Sequence, residues 1–371
     1  MAAVVILLQS GIGDDLMAIP LLRACLDALR PDDRLLILAC EPLHKTLIAA
    51  AIGADPRVEI RCVGHIWIGP KRGLVELALQ LRRLRPKALL LPQSTNRARM
   101  TVFAGVVNAR KTAAPASRLN TLVFGTTVAK REEHKVSEYL RFGATAGLIT
   151  GAERRPTIEL AVPKAASEEA RRVLGAVGTA ERWIGFAPGS GTLETHKRWP
   201  IEHWRSLAEM ILRRGPEFRV AVIGAPSERP LLDAIGRDIP GGAGRVVQVA
   251  APDVMVTAGV LRHCDCVVSA CSGTLHFAAA VGVPVVGLYG PTNPGFTGPF
   301  TDRARIVRLG LACSPCFRLG FSGGCGQPLC MTMIKPDLVD EHVILALQGE
   351  FTAPLPWFAT TDAVRPTTDL A

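Results

Sequence analysis

The chain is poor in aromatic residues and has no long apolar run. Aromatics make up 5% of its 371 residues, and only two are tyrosines. A reader of single-stranded nucleic acid needs aromatic platforms interleaved with its cations, so the sequence offers little to that class. No stretch approaches the roughly 20 consecutive apolar residues of a transmembrane helix. The opening "MAAVVILLQSG" has no basic n-region, and its apolar run is short for a signal peptide. A cytoplasmic location is therefore expected. There the ten cysteines are expected as thiols or metal ligands rather than disulfides. Neither an internal repeat nor a low-complexity segment is visible, which argues against solenoids and disordered tracts.

What is present is 48% hydrophobic residues over a length that favours two domains. Apolar runs alternate with helical patterns, the mark of an α/β fold with parallel sheets. "AVVILLQS", "DRLLILAC" and "KALLLPQS" read as buried strands, and "LMAIPLLRACLDALRP" as a helix stopped by Pro31. A second unit opens at "RWIGFAPGSG" and continues through "RVAVIGAPSE", "CDCVVSACSG" and "VPVVGLYGPT". The expected organisation is a first domain over 1–160, a linker over 161–180, a second domain over 181–348 and a tail over 349–371. That tail either crosses back to the first domain or stays disordered. Ligands of open parallel sheets bind beyond the carboxyl ends of the strands, so the loops there are the candidate site.

Charge is uneven. Residues 1–160 hold 23 Lys and Arg against 14 Asp and Glu, whereas the remainder holds 20 against 19. A basic half fits an anionic partner: a phosphorylated glycolipid, a membrane surface or nucleic acid. The plainer reading is a solubilising surface.

In "CDCVVSACSGTLHFAAAVGVP" a strand delivers a Ser-Gly-Thr turn and a helix, which Gly282 and Pro284 end. A helix head presents unpaired N–H groups and partial positive charge. Gly273 lets a ligand approach the backbone, so the turn suits a phosphate or diphosphate. Ser272, Thr274 and His276 can address the same ligand. The alternative is a Ser-capped helix with a core histidine. In "PGSGTLETHKRWPIEHW" Lys197 precedes an amphipathic helix and can pair with phosphate. Ser190 and Thr192 add hydroxyls, and Trp199 reads as a core anchor. "IGAPSERP" places Glu228 after a strand, where a carboxylate can accept two ribose hydroxyls.

"QSGIGDDLMAIP" has Gly11 and Gly13 in the pattern of a dinucleotide fingerprint, but Leu16 stands at the third glycine position. An acidic residue after the next strand comes only at Glu41, so an NAD site is a poor reading. Asp14 and Asp15 fit as N-cap and N1 residues of a helix, or as a general base on a strand's exit loop.

Together, "GIGDDLMAIP", "HKRWPIEHWRSLAEMI", "IGAPSE" and "SACSGTLHFAAAVGVPVVGLYGPTNPG" resemble glycosyltransferase family 9, the family of ADP-heptose:lipopolysaccharide heptosyltransferases. The resemblance extends over most of residues 4–345. It implies a GT-B fold, two Rossmann-like domains facing across a cleft, the first for the acceptor and the second for the nucleotide-sugar. It implies an inverting transfer with no metal or other cofactor in the chemistry. Asp14 matches the catalytic base. Lys197, Ser272, Gly273, Thr274 and His276 match contacts to the donor diphosphate, and Glu228 a contact to the nucleotide-sugar. "LPQSTNRARM" looks like the acceptor-side loop, which assigns Gln93, Ser94, Arg97 and Arg99 to a phosphorylated glycolipid at the cytoplasmic face of the inner membrane. At Cys271 the sequence departs from the family pattern, which has Asp. ADP-heptose is the default donor, and nucleic acid is not an expected partner. A non-catalytic nucleotide- or sugar-binding protein on the same scaffold is the competing class.

"CSPCFRLGFSGGCGQPLC" sets Cys313, Cys316, Cys325 and Cys330 among Gly and Pro. Similar clusters occur in part of the resembled family. A structural zinc or iron site is one reading; four thiols in a connector is the other.

Overall fold

The structure, a computed structural model, describes residues 2–66, 71–93, 97–124, 126–149, 156–175, 180–191, 194–317 and 325–352. The chain divides into two compact units, with the boundary between Ile158 and Glu159.

The first unit holds β1 (Ala3–Leu7), β2 (Arg34–Ala39), β3 (Val58–Cys62), β4 (Ala88–Leu90), β5 (Thr112–Pro115) and β6 (Thr127–Val128). They form one parallel sheet in the order β3-β2-β1-β4-β5-β6. The second unit holds β7 (Arg182–Ala187), β8 (Phe218–Ile223), β9 (Val246–Val249), β10 (Cys266–Ala270), β11 (Val285–Leu288) and β12 (Ala304–Val307). Its sheet is also parallel, in the order β12-β11-β10-β7-β8-β9. Both orders reverse direction beside the unit's first strand, at β1/β4 and at β7/β10. This is the doubly wound arrangement.

The strands are continuous apolar runs because helices cover both faces of such sheets. β10 is buried at every residue. In the first unit Val5, Leu7, Leu36, Leu38, Leu89, Met100 and Phe103 join one core. In the second, helix Ile201–Arg213 buries Trp204, Leu207, Ala208, Ile211 and Leu212 along one face. Trp204 packs against Phe186 and Trp199, each with ring centroids 5.1 Å away. Trp199 is the core anchor expected of it, and its indole N–H donates to the Ile334 carbonyl at 2.9 Å.

Two expectations are corrected. The 161–180 segment contains a helix, Lys164–Leu174, that packs closely against helix Val254–His263. Gly259 makes this possible, since a Cβ there would lie 2.8 Å from the Ala166 carbonyl oxygen and from the Ala170 Cβ. Secondly, Asp14 and Asp15 do not cap their helix. Gly11 does, and the helix runs from Ile12 to Asp27. The N–H groups of both aspartates donate to the Gly11 carbonyl, which starts the helix nearly one turn earlier. The tail from residue 353 lies outside the described residues. Among the described residues no helix is long and apolar enough to cross a membrane.

Candidate functional site

In the first unit the loops leaving β1 and β4 meet at the reversal of strand order. Gln93 locks them together: its Oε1 accepts the N–H groups of Gln9 at 2.9 Å and Ser10 at 3.0 Å. Asp14 sits half-buried in the first turn of its helix, where the helix dipole favours negative charge. Its two oxygens are oriented by hydroxyls. Ser10 donates to Oδ2 at 2.5 Å and Tyr139 to Oδ1 at 2.9 Å. Burial, then the Asp14 charge, pushes the Tyr139 phenol well above its usual range, so it stays a neutral donor. Tyr139 arrives from helix Lys135–Thr145, which packs along helix Ile12–Asp27.

Asp15 is buried, and its Oδ2 lies 2.6 Å from Nδ1 of His44 on helix Pro42–Ile52. Burial raises the Asp15 carboxyl more than His44 lowers it. For His44, burial lowers the imidazole, but the Asp15 hydrogen bond and charge outweigh it and leave it raised. Of the acceptor-side residues, Gln93 stands in the β4 loop and holds the loop before Asp14, and Arg99 is half-buried on helix Arg97–Val107. Ser94 and the side chain of Arg97 lie outside the described residues.

In the second unit the loops leaving β7, β8, β10 and β11 share one sheet edge. β7 and β10 are paired through Ser269 and Ala187, so the loops three residues further on, at Ser190 and Ser272, leave side by side. Ser272 is extended at the head of helix Gly273–Ala280, and Ser272, Gly273 and Thr274 are all partly open to solvent. The Ser272 side chain makes no capping hydrogen bond to this helix, so its N-cap residue leaves the first N–H groups unclaimed. His276 is buried in its first turn.

Lys197 is only 7% exposed. Its ammonium is 2.8 Å from Glu194 Oε2 and 4.2 Å from the ring centre of Phe317. Phe317 in turn stacks on His196 with centroids 5.6 Å apart. The Ser190 hydroxyl donates to the Glu194 carbonyl at 3.0 Å and accepts from Arg198 Nε at 3.2 Å. Glu228 lies against the β7 loop. Its carboxylate accepts the Ala225 N–H at 3.0 Å, and a Cβ on Gly189 would come 2.1 Å from its Oε1. Glycine at 189 therefore gives Glu228 its place. Thr192 lies outside the described residues. Cys271 is buried, with Sγ 3.6 Å from the Thr297 hydroxyl, and Tyr289 donates to the Thr297 carbonyl at 2.6 Å.

Six residues at these two sites were not singled out from the sequence: Ser10, His44, Tyr139, Glu194, His196 and Phe317. Ser10 stands four residues before Asp14 and was legible in principle. Tyr139 and Phe317 reach their partners from 125 and 120 residues away along the chain, with no local signal.

Of the four connector cysteines, Cys313, Cys316 and Cys325 are exposed and Cys330 is buried. Burial, then the other three thiols, pushes Cys330 up. Among the described residues no three His, Cys, Asp or Glu side chains gather closely enough to hold a metal ion.

Two doubly wound parallel sheets, each with polar loops at its reversal point, define a GT-B-type α/β protein. The model of glycosyltransferase family 9 (heptosyltransferase) matches residues 82–323, so the chain belongs to that family and is a glycosyltransferase. This sets aside the non-catalytic class. Lipooligosaccharide heptosyltransferase 2 of Haemophilus influenzae is 29% identical over 242 residues, 63% of this chain and 68% of that protein. The solved ADP-heptose lps heptosyltransferase II of E. coli superposes with a TM-score of 0.71 at 20% identity, covering 94% of this chain and 99% of that one. The family 9 glycosyl transferase of Veillonella parvula gives 0.74 at 18% identity, covering 94% and 98%. The family match begins beyond Asp14, whose placement rests on geometry.

Proposed function

We propose that the chain transfers a heptose from ADP-heptose to a hydroxyl of a lipopolysaccharide-core acceptor, with inversion and without a metal in the chemistry. The names of the similar heptosyltransferases supply the substrates of this reading. The observation that carries it is the open head of helix Gly273–Ala280 beside the β7 loop that bears the buried Lys197. Backbone N–H groups and one ammonium stabilise the charge that grows on a diphosphate leaving group. Glu228 takes the ribose or sugar hydroxyls. Asp14, held by Ser10 and Tyr139, removes the proton of the acceptor hydroxyl as that oxygen attacks the anomeric carbon from the face opposite the diphosphate. Gln93, Ser94, Arg97 and Arg99 address a phosphorylated glycolipid at the cytoplasmic face of the membrane.

The test is ADP release from ADP-heptose with a core acceptor, alongside calorimetric ADP binding. The reading requires Asp14→Asn to lose turnover and keep ADP affinity, and Lys197→Ala to lose both. Turnover that survives in Asp14→Asn removes the base assignment; a native chain that does not bind ADP removes the donor assignment.

A further inference from the structure

Between Glu76 and Glu132 the chain carries eleven Lys and Arg and neither Asp nor Glu. This run forms most of three helices: Lys71–Arg83, Arg97–Val107 and Arg118–Phe124. They pack in series, the first on the second and the second on the third. Each leaves apolar side chains in water. Val75 and Leu79 stand one turn apart on the first helix. Val102 on the second is 62% exposed, and Leu122 on the third is 83% exposed, flanked by exposed Leu119 and Val123. Arg118 and Leu122 border a shallow open hollow with Ala116, Ser117 and Thr121. Arg82, Arg83, Arg85, Arg110, Lys111 and Arg118 are exposed.

Scattered single apolar residues on a surface need no explanation, but a grouped set marks an interaction site. Arg97–Val107 and Arg118–Phe124 begin just after β4 and β5, at the sheet edge that carries Asp14. A helix with leucines on one side and arginines nearby suits the headgroup layer of a bilayer. A 55-residue run with eleven cations and no acidic residue of its own, in which Lys87 is paired with Asp33, suits its anionic phosphates. We propose that this three-helix face docks the first unit on an anionic lipid bilayer, with Val102, Leu119, Leu122 and Val123 entering the headgroup layer and the arginines meeting lipid phosphates. The choice of a bilayer over a protein partner rests on the lipid-bearing acceptor proposed above.

The test is co-sedimentation of the full chain, without sugar substrates. One set of vesicles is phosphatidylethanolamine with phosphatidylglycerol, and the other is phosphatidylcholine alone. The native chain is expected to partition onto the anionic vesicles, less so as salt rises, and to ignore the neutral ones. Leu119→Asp/Leu122→Asp is expected to lose roughly tenfold or more of that partition while keeping native ADP affinity. Val75→Asn/Leu79→Asn provides a second, independent variant, with a smaller loss. Partition that is equal on both lipids, absent, or unchanged in both variants overturns the proposal. So does a native dimer that the leucine variant dissolves without any vesicle binding, which would make the face a contact between copies. Vesicle binding with no heptose transfer would leave this surface standing and remove the reading of the reaction.

Discussion

Replacing His44 with Gln takes away the only cation in contact with Asp15 among the described residues and leaves a carboxyl group that is 1% exposed. Removing one partner of a buried ion pair costs about 3–5 kcal/mol when the other stays charged. Asp15 can soften that loss by taking up a proton. Burial already raises its carboxyl, and His44 is the main influence lowering it, so the variant moves further upward. A group whose folded pKa is raised contributes stability below its unfolded value and loses it as pH rises through the folded value. The variant therefore regains stability on acidification, by up to about 1.4 kcal/mol per pH unit while Asp15 is protonated only in the folded state. In the native chain His44 is itself raised. Its contribution is intact below the ordinary imidazole range and is lost above it, as the ring gives up its proton. Urea unfolding of both proteins across the acidic to mildly alkaline range measures the gap. It should be about 3–5 kcal/mol at neutral pH and should narrow toward acid. Asp15→Asn/His44→Gln should close most of it. A gap below about 1 kcal/mol at neutral pH, or one that does not narrow on acidification, would refute the reasoning.

Lys197→Ala should weaken ADP binding about 10- to 100-fold by calorimetry, the worth of one charge-assisted hydrogen bond. Asp14→Asn should lower kcat by about 10²- to 10⁴-fold and leave ADP affinity within error; a loss confined to KM would give Asp14 a binding role. Gly189→Ala should displace Glu228, whose Oε1 would lie 2.1 Å from the new Cβ; the readout is weaker donor binding with unchanged unfolding. Gly259→Ala should destabilise the second unit by about 1–3 kcal/mol, because the methyl meets backbone and not a movable side chain.

Much of the fold was legible because the parallel strands are near-continuous apolar runs, as in "AVVIL" and "CVVSA". The short or half-polar strands were not: β3 "VEIRC" and β6 "TV" carry no distinct period. Helix Lys164–Leu174 was hidden because it follows Pro163 inside the stretch read as a linker over 161–180. The glycine that seats it is about 90 positions downstream. In the second unit the strand, turn and helix around Ser272–His276 were readable because they are contiguous in sequence. The electrostatics were only partly so: Glu194 and Ser10 stand within four residues of Lys197 and Asp14, whereas Phe317 and Tyr139 reach them from separate elements.

The Glu194 carboxylate already occupies the ammonium of Lys197. In the proposed reaction an arriving diphosphate competes with an anion built into the same loop, so part of its attraction to the lysine goes to breaking that contact. The same carboxylate stands ready to reclaim the lysine once the sugar has left. On that reading an internal competitor helps the spent nucleotide to leave, which favours turnover over retention. Glu194→Gln should accordingly hold ADP more tightly and release it more slowly than the native chain.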